Sequence, residues 1–139
     1  MNARFVDTNV LLYAISRADE EQAKRERANA VLRDRGLGLS VQVLQEFYVQ
    51  ATRQTRADAI THQQALQLVE AFMRFQVQET TKALMRAAFA TRNRFGISYW
   101  DAAIIEAARA LGCNLVLSED LSDGQDYAGV RVENPFAGL

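Results

Sequence analysis

Short apolar runs alternate with helical spacings along this chain, a pattern of strands interleaved with helices. Arg4-Phe5-Val6-Asp7 reads as a short strand, and Val10 to Ile15 begins a helix capped by Thr8 or Asn9. Glu20 to Arg35 has the pattern of a charged amphipathic helix, with Ala23, Arg27, Ala30, Val31 and Asp34 at helical intervals. Gly36-Leu37-Gly38 stops it, and Leu37 to Ser40 is a candidate second strand. Ser40 caps a helix running to about Arg53, and Thr61 to Phe75 is another, with Leu66, Val69 and Met73 on one face. Val77 to Glu79 is a weak strand candidate. Lys82 to Phe95 and Tyr99 to Leu111 are strongly helical and separated by Gly96; Leu115-Val116-Leu117 is a buried-type strand, and Val130-Arg131-Val132 a candidate edge strand.

Such alternation favours an α/β sandwich around a parallel sheet, in which the reactive crevice lies beyond the carboxyl ends of the strands. Here Asp7 follows the first strand, and Ser118-Glu119-Asp120 follows the late one. No linker, repeat or low-complexity stretch divides the 139 residues, which predicts a single domain over 1–139.

Composition narrows the chemistry. Sixteen basic and 17 acidic groups leave a formal net charge of -1, which argues against holding nucleic acid by bulk positive charge. One cysteine, Cys113, and one histidine, His62, supply neither a disulfide nor a soft-ligand zinc site; Cys113 is expected in the core and His62 on a helix surface. The longest apolar run, Val10 to Ile15, is far short of the roughly 18 residues that suggest a membrane span. Asp7 interrupts the place for a signal peptide, so the expected setting is soluble, reducing and cytosolic.

Four carboxylates stand out: Asp7, Glu46, Asp101 and Asp120. Taken singly, Asp7 reads as a helix cap, and Ser98-Tyr99-Trp100-Asp101 as a capping box. Glu46 fits such a reading less well. It borders the apolar arc formed by Val43, Leu44, Phe47, Tyr48 and Ala51, where a carboxylate is partly desolvated and costly without a partner. Asp120 belongs to an acidic cluster with Glu119, Asp123 and Asp126. Acids gathered at one rim either raise one another's pKa or recruit a cation, and oxygen-only ligands select a hard ion such as Mg²⁺ or Mn²⁺. Lys82, Arg86, Arg92 and Arg94 lie in an acid-free stretch, and Arg53 and Arg56 in another. Either is ordinarily a solvated helix face. Beside a carboxylate–metal centre, such patches suit a polyanion.

Phe5-Val6-Asp7-Thr8-Asn9-Val10-Leu11-Leu12-Tyr13, Ser40-Val41-Gln42-Val43-Leu44-Gln45-Glu46-Phe47, Ser98-Tyr99-Trp100-Asp101-Ala102-Ala103-Ile104-Ile105 and Leu117-Ser118-Glu119-Asp120 occur in order. Together they resemble the PIN-domain ribonucleases, in particular the VapC-type toxins of bacterial toxin–antitoxin pairs. Val130-Arg131-Val132-Glu133-Asn134-Pro135-Phe136 is similar to the ending of one subgroup. The resemblance implies a three-layer α/β/α sandwich with a central, mostly parallel sheet. It also implies metal-dependent RNA cleavage by clustered acids, in a homodimer inhibited by a cognate antitoxin. By position it assigns metal binding to Asp7, Asp101 and Asp120, and metal binding or water orientation to Glu46. The family's Thr-x-Asp/Asn is Ser118-Glu119-Asp120 here, with Asp123 an alternative or supporting ligand and Glu119 turned away. Asn9 is expected to hold Asp7 by a hydrogen bond.

Two other classes compete. A phosphoryl-transfer domain also puts an Asp after its first strand. The phosphatase version needs a second Asp where Asn9 stands, and a receiver needs a late lysine, whereas none follows Lys82. A catalytically silent PIN-like module that binds RNA or protein would be betrayed by loss of an acid, and all four positions are filled.

Overall fold

The computed structural model describes residues 3–139. Its centre is a six-stranded sheet built from β1 (Arg4–Val6), β2 (Leu37–Ser40), β3 (Gln76–Gln78), β4 (Leu115–Leu117), β5 (Asp126–Tyr127) and β6 (Val130–Glu133). The strand order is β3-β2-β1-β4-β6-β5. Every pairing is parallel except that of β5 with β6. Arg4 lies opposite both Leu37 and Leu115, so the carboxyl ends of β1, β2 and β4 reach one edge together.

Among the described residues six helices flank the sheet: α1 (Thr8–Ala14), α2 (Gln22–Leu32), α3 (Val41–Ala51), α4 (His62–Phe72), α5 (Lys82–Phe95) and α6 (Tyr99–Ala110). Helices α1 to α4 pack on one another, and α5 packs on α6. Mostly parallel and covered by helices, the sheet has the expected PIN-like α/β/α architecture. The core joins Phe5, Val6, Val116 and Leu117 of the central strands to Leu11, Phe47 and Ile105 of three helices. Gly38 eases this packing. A Cβ there would lie 2.7 Å from Leu111 Cδ1 and 3.3 Å from Cys113 Sγ, so a larger residue would have to displace the Leu111 side chain at the end of α6 and crowd Cys113. Cys113 is buried and His62 exposed, as expected.

Several local expectations are corrected. The cap of α1 is Asp7, whose side chain accepts from the Thr8 amide; Thr8 and Asn9 are already helical. The charged segment divides into a 3₁₀ turn over Asp19–Glu21 and then α2, whose buried residues are Ala28, Val31 and Leu32. Helix α4 buries Ala65 and Phe72, and Phe72 meets Phe47 edge-on at 5.2 Å. Leu66 and Met73 stay exposed, on the side of α4 away from its packing with α3. Strand β6 is not the edge. The two-residue β5 lies outside it, through a tight turn in which Ala128 and Gly129 both have positive φ, the pattern of a two-residue hairpin. No helix among the described residues is long and apolar enough to cross a membrane.

Candidate active site

The parallel sheet delivers its acids from strand ends. Asp7 leaves β1 with its amide donating to the Leu117 carbonyl at 3.0 Å, which fixes it beside the end of β4. Its carboxylate accepts from the Thr8 amide at 2.7 Å and from the Ser118 hydroxyl at 2.8 Å. Ser118, fully buried, is the hub. Its hydroxyl oxygen also accepts from Asn9 Nδ2 at 3.2 Å, from the Asp120 amide at 3.1 Å and from the Leu121 amide at 3.3 Å.

Asn9 does not hold Asp7 directly, contrary to expectation. Its Nδ2 reaches Ser118 and, at 3.3 Å, Asp120 Oδ2, while its Oδ1 accepts from the Glu119 amide at 3.2 Å. Standing in the first turn of α1, its side chain faces the loop after β4 and acts on Asp7 only through Ser118.

Ser40 caps α3 by accepting from the Val43 amide at 3.2 Å, and the helix then carries Glu46 over the end of β1. Glu46 Oε2 accepts from the Thr8 hydroxyl at 2.9 Å, and Oε1 from Gln42 Nε2 at 3.1 Å. Gln42 also reaches the Trp100 carbonyl at 3.4 Å, tying α3 to the start of α6. Asp101 stands in the first turn of α6, its amide donating to Ser98 Oγ at 3.1 Å.

Asp7, Glu46, Asp101 and Asp120 therefore line one pocket of about 110 Å³, together with Thr8, Asn9, Gln42, Gln50, Leu12, Trp100 and Ile104. No lysine or arginine lines it. The electrostatic consequence falls hardest on Asp7, whose pKa is pushed from 3.8 up to about 6. Burial is the main cause, the Ser118 and Thr8 hydrogen bonds oppose it, and the charges of Asp120 and Glu46 add to it. Asp101 is also raised, first by burial and then by the charges of Asp120 and Glu46.

Asp123 stands outside the pocket, its carboxylate accepting from the Asn134 amide at 2.9 Å. Glu119 is turned away, towards Lys24 and Tyr13. Sequence reasoning missed Thr8 and Gln42; the i,i+4 spacing of Gln42 to Glu46 was the available signal.

The donor set fits a hard divalent cation. Its oxygens are all carboxylate, hydroxyl or amide, the most buried acid is the most perturbed, and no basic side chain in the pocket offsets the charge. As the side chains stand, no three Asp, Glu, His or Cys groups among the described residues already converge on one point as ligands.

A parallel α/β sandwich with a carboxylate pocket past its strand ends defines a class of domain that works at the sheet's carboxyl edge. The model of the PIN domain matches residues 4–122, and the chain belongs to that family. No curated protein is similar enough in sequence to match. Among solved structures the chain is similar to a toxin–antitoxin complex from Klebsiella pneumoniae (18% identity, TM-score 0.69, covering 96% of this chain and 98% of that one). It is also similar to DNA-bound VapBC from Salmonella typhimurium (21%, TM-score 0.67, 97% and 99%). A third is VapC20 from Mycobacterium tuberculosis, a sarcin–ricin-loop-cleaving toxin (21%, TM-score 0.66, 84% and 89%). At these identities the likeness concerns the fold.

Proposed function

We propose that this chain is a Mg²⁺- or Mn²⁺-dependent endoribonuclease and the toxin of a type II toxin–antitoxin pair. The observation that carries the reading is the single pocket lined by four carboxylates and by no cation. Asp7, Asp101 and Asp120 are its metal-holding residues. Glu46, held by Thr8 and Gln42, keeps a free lone pair on each oxygen for the ion or for a water. The divalent ion would acidify a bound water and stabilise the charge that develops on the scissile phosphate. Ser118 and Asn9 hold Asp7 and the 118–121 loop at fixed spacing, and Leu12 and Ile104 keep one wall apolar.

Trp100 is 63% exposed, lines the pocket and meets Tyr99 edge-on at 4.9 Å, which in turn lies 5.1 Å from Phe89. Trp100 and Tyr99 offer ring faces for unstacked bases, beside a helix whose exposed Lys82, Arg86, Arg92 and Arg94 suit a phosphate backbone. Arg56 contributes less, being paired with Asp58 at 2.8 Å.

The antitoxin partner is supported by the similar structures that are themselves such complexes, and exposed Val49, Leu66 and Met73 give it apolar surface to cover. Met85 and Phe89 do the same for a second copy in a homodimer. The setting for such a pair is the cytoplasm.

The deciding experiment incubates structured and unstructured RNA with the purified chain, with and without chelator, beside Asp7→Asn. Cleavage that chelator and the substitution both abolish is the expected result. A catalytically silent PIN-like module is the second reading, favoured by the acids not yet converging. RNA or protein binding without chelator-sensitive cleavage would establish it.

A further inference from the structure

Lys24 stands in the first turn of α2, and its ammonium reaches across to the loop after β4. Its Nζ stands 2.5 Å from Glu119 Oε2 and 3.2 Å from the Tyr13 hydroxyl, and lies over the Tyr13 ring at 4.8 Å. The Tyr13 hydroxyl donates to the other Glu119 oxygen at 2.6 Å. Tyr13 is braced in turn by Phe136 of the C-terminal tail, with ring centroids 4.8 Å apart. Both oxygens of Glu119 are thus engaged, and its amide is bound by Asn9 Oδ1 at 3.2 Å. The next residue is Asp120, whose side chain lines the pocket and accepts from the same Asn9.

We propose that Lys24, acting with Tyr13 through Glu119, is a positioning residue that sets where the Asp120 carboxylate stands in the metal pocket. The inference rests on the metal-site reading above. Stability alone accounts poorly for the arrangement. A partly exposed ion pair contributes little to stability, yet three side chains from separate segments are immobilised here. An outer partner that aims a ligand is worth far more to a metal, about 10–100-fold in affinity or activity. The clamp also settles which acid faces the pocket. Glu119 spends its charge on Lys24, so it neither competes with Asp120 nor adds a fifth negative charge to the rim.

The test measures Mn²⁺ affinity by electron paramagnetic resonance for wild type, Lys24→Ala, Lys24→Arg, Tyr13→Phe and Asp120→Asn, and for Lys24→Ala combined with Asp120→Asn. Hydrogen exchange of the Asp120 and Leu121 amides is followed in chelator. Lys24→Ala is expected to lose about tenfold in Mn²⁺ affinity, Lys24→Arg to recover most of it, and Tyr13→Phe to fall between. In the Asp120→Asn background Lys24→Ala should cost nothing further, and without metal it should speed exchange at the two loop amides. Unchanged affinity with only a lower melting temperature makes the clamp a structural staple and overturns the proposal. So does a gain in affinity, which would mean that Glu119 had joined the site, or an equal loss in both backgrounds. If wild type binds no Mn²⁺, the metal reading falls. The exchange arm still decides whether Lys24 holds Asp120.

Discussion

Replacing Asp7 by asparagine should make the metal-free protein more stable at pH 8. Burial and two neighbouring carboxylates lift the Asp7 pKa from 3.8 to about 6, so charging it in the folded chain costs about 3 kcal/mol more than charging it in the unfolded one. The sign follows from proton counting. Between pH 3.8 and about 6 the folded chain holds the Asp7 proton more tightly than the unfolded chain does. Stability from this group is therefore fully present below 3.8, falls as pH rises through that window and stays low above it. Asparagine never ionises and escapes the loss. It gives back about 1 kcal/mol, because the carboxylate uses both oxygens as acceptors, one for the Thr8 amide and one for the Ser118 hydroxyl, whereas asparagine has a single acceptor oxygen and an N–H₂ that only donates.

The net gain at pH 8 is about 2 kcal/mol, worth about 8 °C in Tm for a chain of this size. Thermal melts of both proteins in chelator at pH 4.5, 6 and 8 test it. The gap should be large at pH 8 and vanish or reverse at pH 4.5, and saturating Mn²⁺ should raise the wild-type Tm alone. A variant that melts at or below wild type at pH 8, or by a margin independent of pH, refutes the claim that Asp7 is held charged against its surroundings.

Two further outcomes follow from the same geometry. Ser118→Ala removes the one oxygen shared by Asp7, Asn9 and two loop amides, so chemical denaturation should show a loss of about 2–3 kcal/mol, together with weaker Mn²⁺ binding. Trp100→Ala should leave Tm and Mn²⁺ affinity unchanged but weaken unpaired RNA, read by fluorescence anisotropy, by about 1–3 kcal/mol. Equal weakening of duplex RNA would remove the stacking role.

Much of this molecule is legible in the chain because its local signals agree. Ser40 caps α3 and Gly96, with φ of 69°, ends α5, while β2, α5 and β4 begin and end at their composition changes. What escaped depends on partners distant in sequence. The two-residue β5 is too short for any periodicity, and its antiparallel place outside β6 comes from the Ala128–Gly129 turn. The exposed face of α4 follows from its packing mainly on α3 among the helices of the described residues, which no spacing encodes. The site divides in the same way. Strand ends bring Asp7 and Asp120 to one rim, the start of α6 brings Asp101, and the second turn of α3 brings Glu46. The hydrogen bonds that aim them join Asn9 to Ser118, Thr8 to Glu46 and Asp7 to Ser118, across 109, 38 and 111 positions. For Asn9 the expectation of direct contact with Asp7 failed because its short side chain, in the first turn of α1, points at the loop instead.

A second buried acid, held quite differently, stands in contrast to Asp7. Glu106 is as buried as Asp7, at 7% exposure each. It accepts from the Thr91 hydroxyl at 2.7 Å and from Arg109 Nε at 3.0 Å, and Arg109 goes on to bind the carbonyls of Tyr127 and Ala128. That carboxylate has its cation, and the pair fastens α6 to the β5–β6 hairpin. Asp7 has only neutral donors of its own and two acids for neighbours. Burial alone therefore does not mark a functional acid, since the fold compensates Glu106 completely. The distinguishing feature is a charge that the chain desolvates, orients with neutral hydrogen bonds and leaves without a counter-charge, at a cost in stability that a bound cation would reverse.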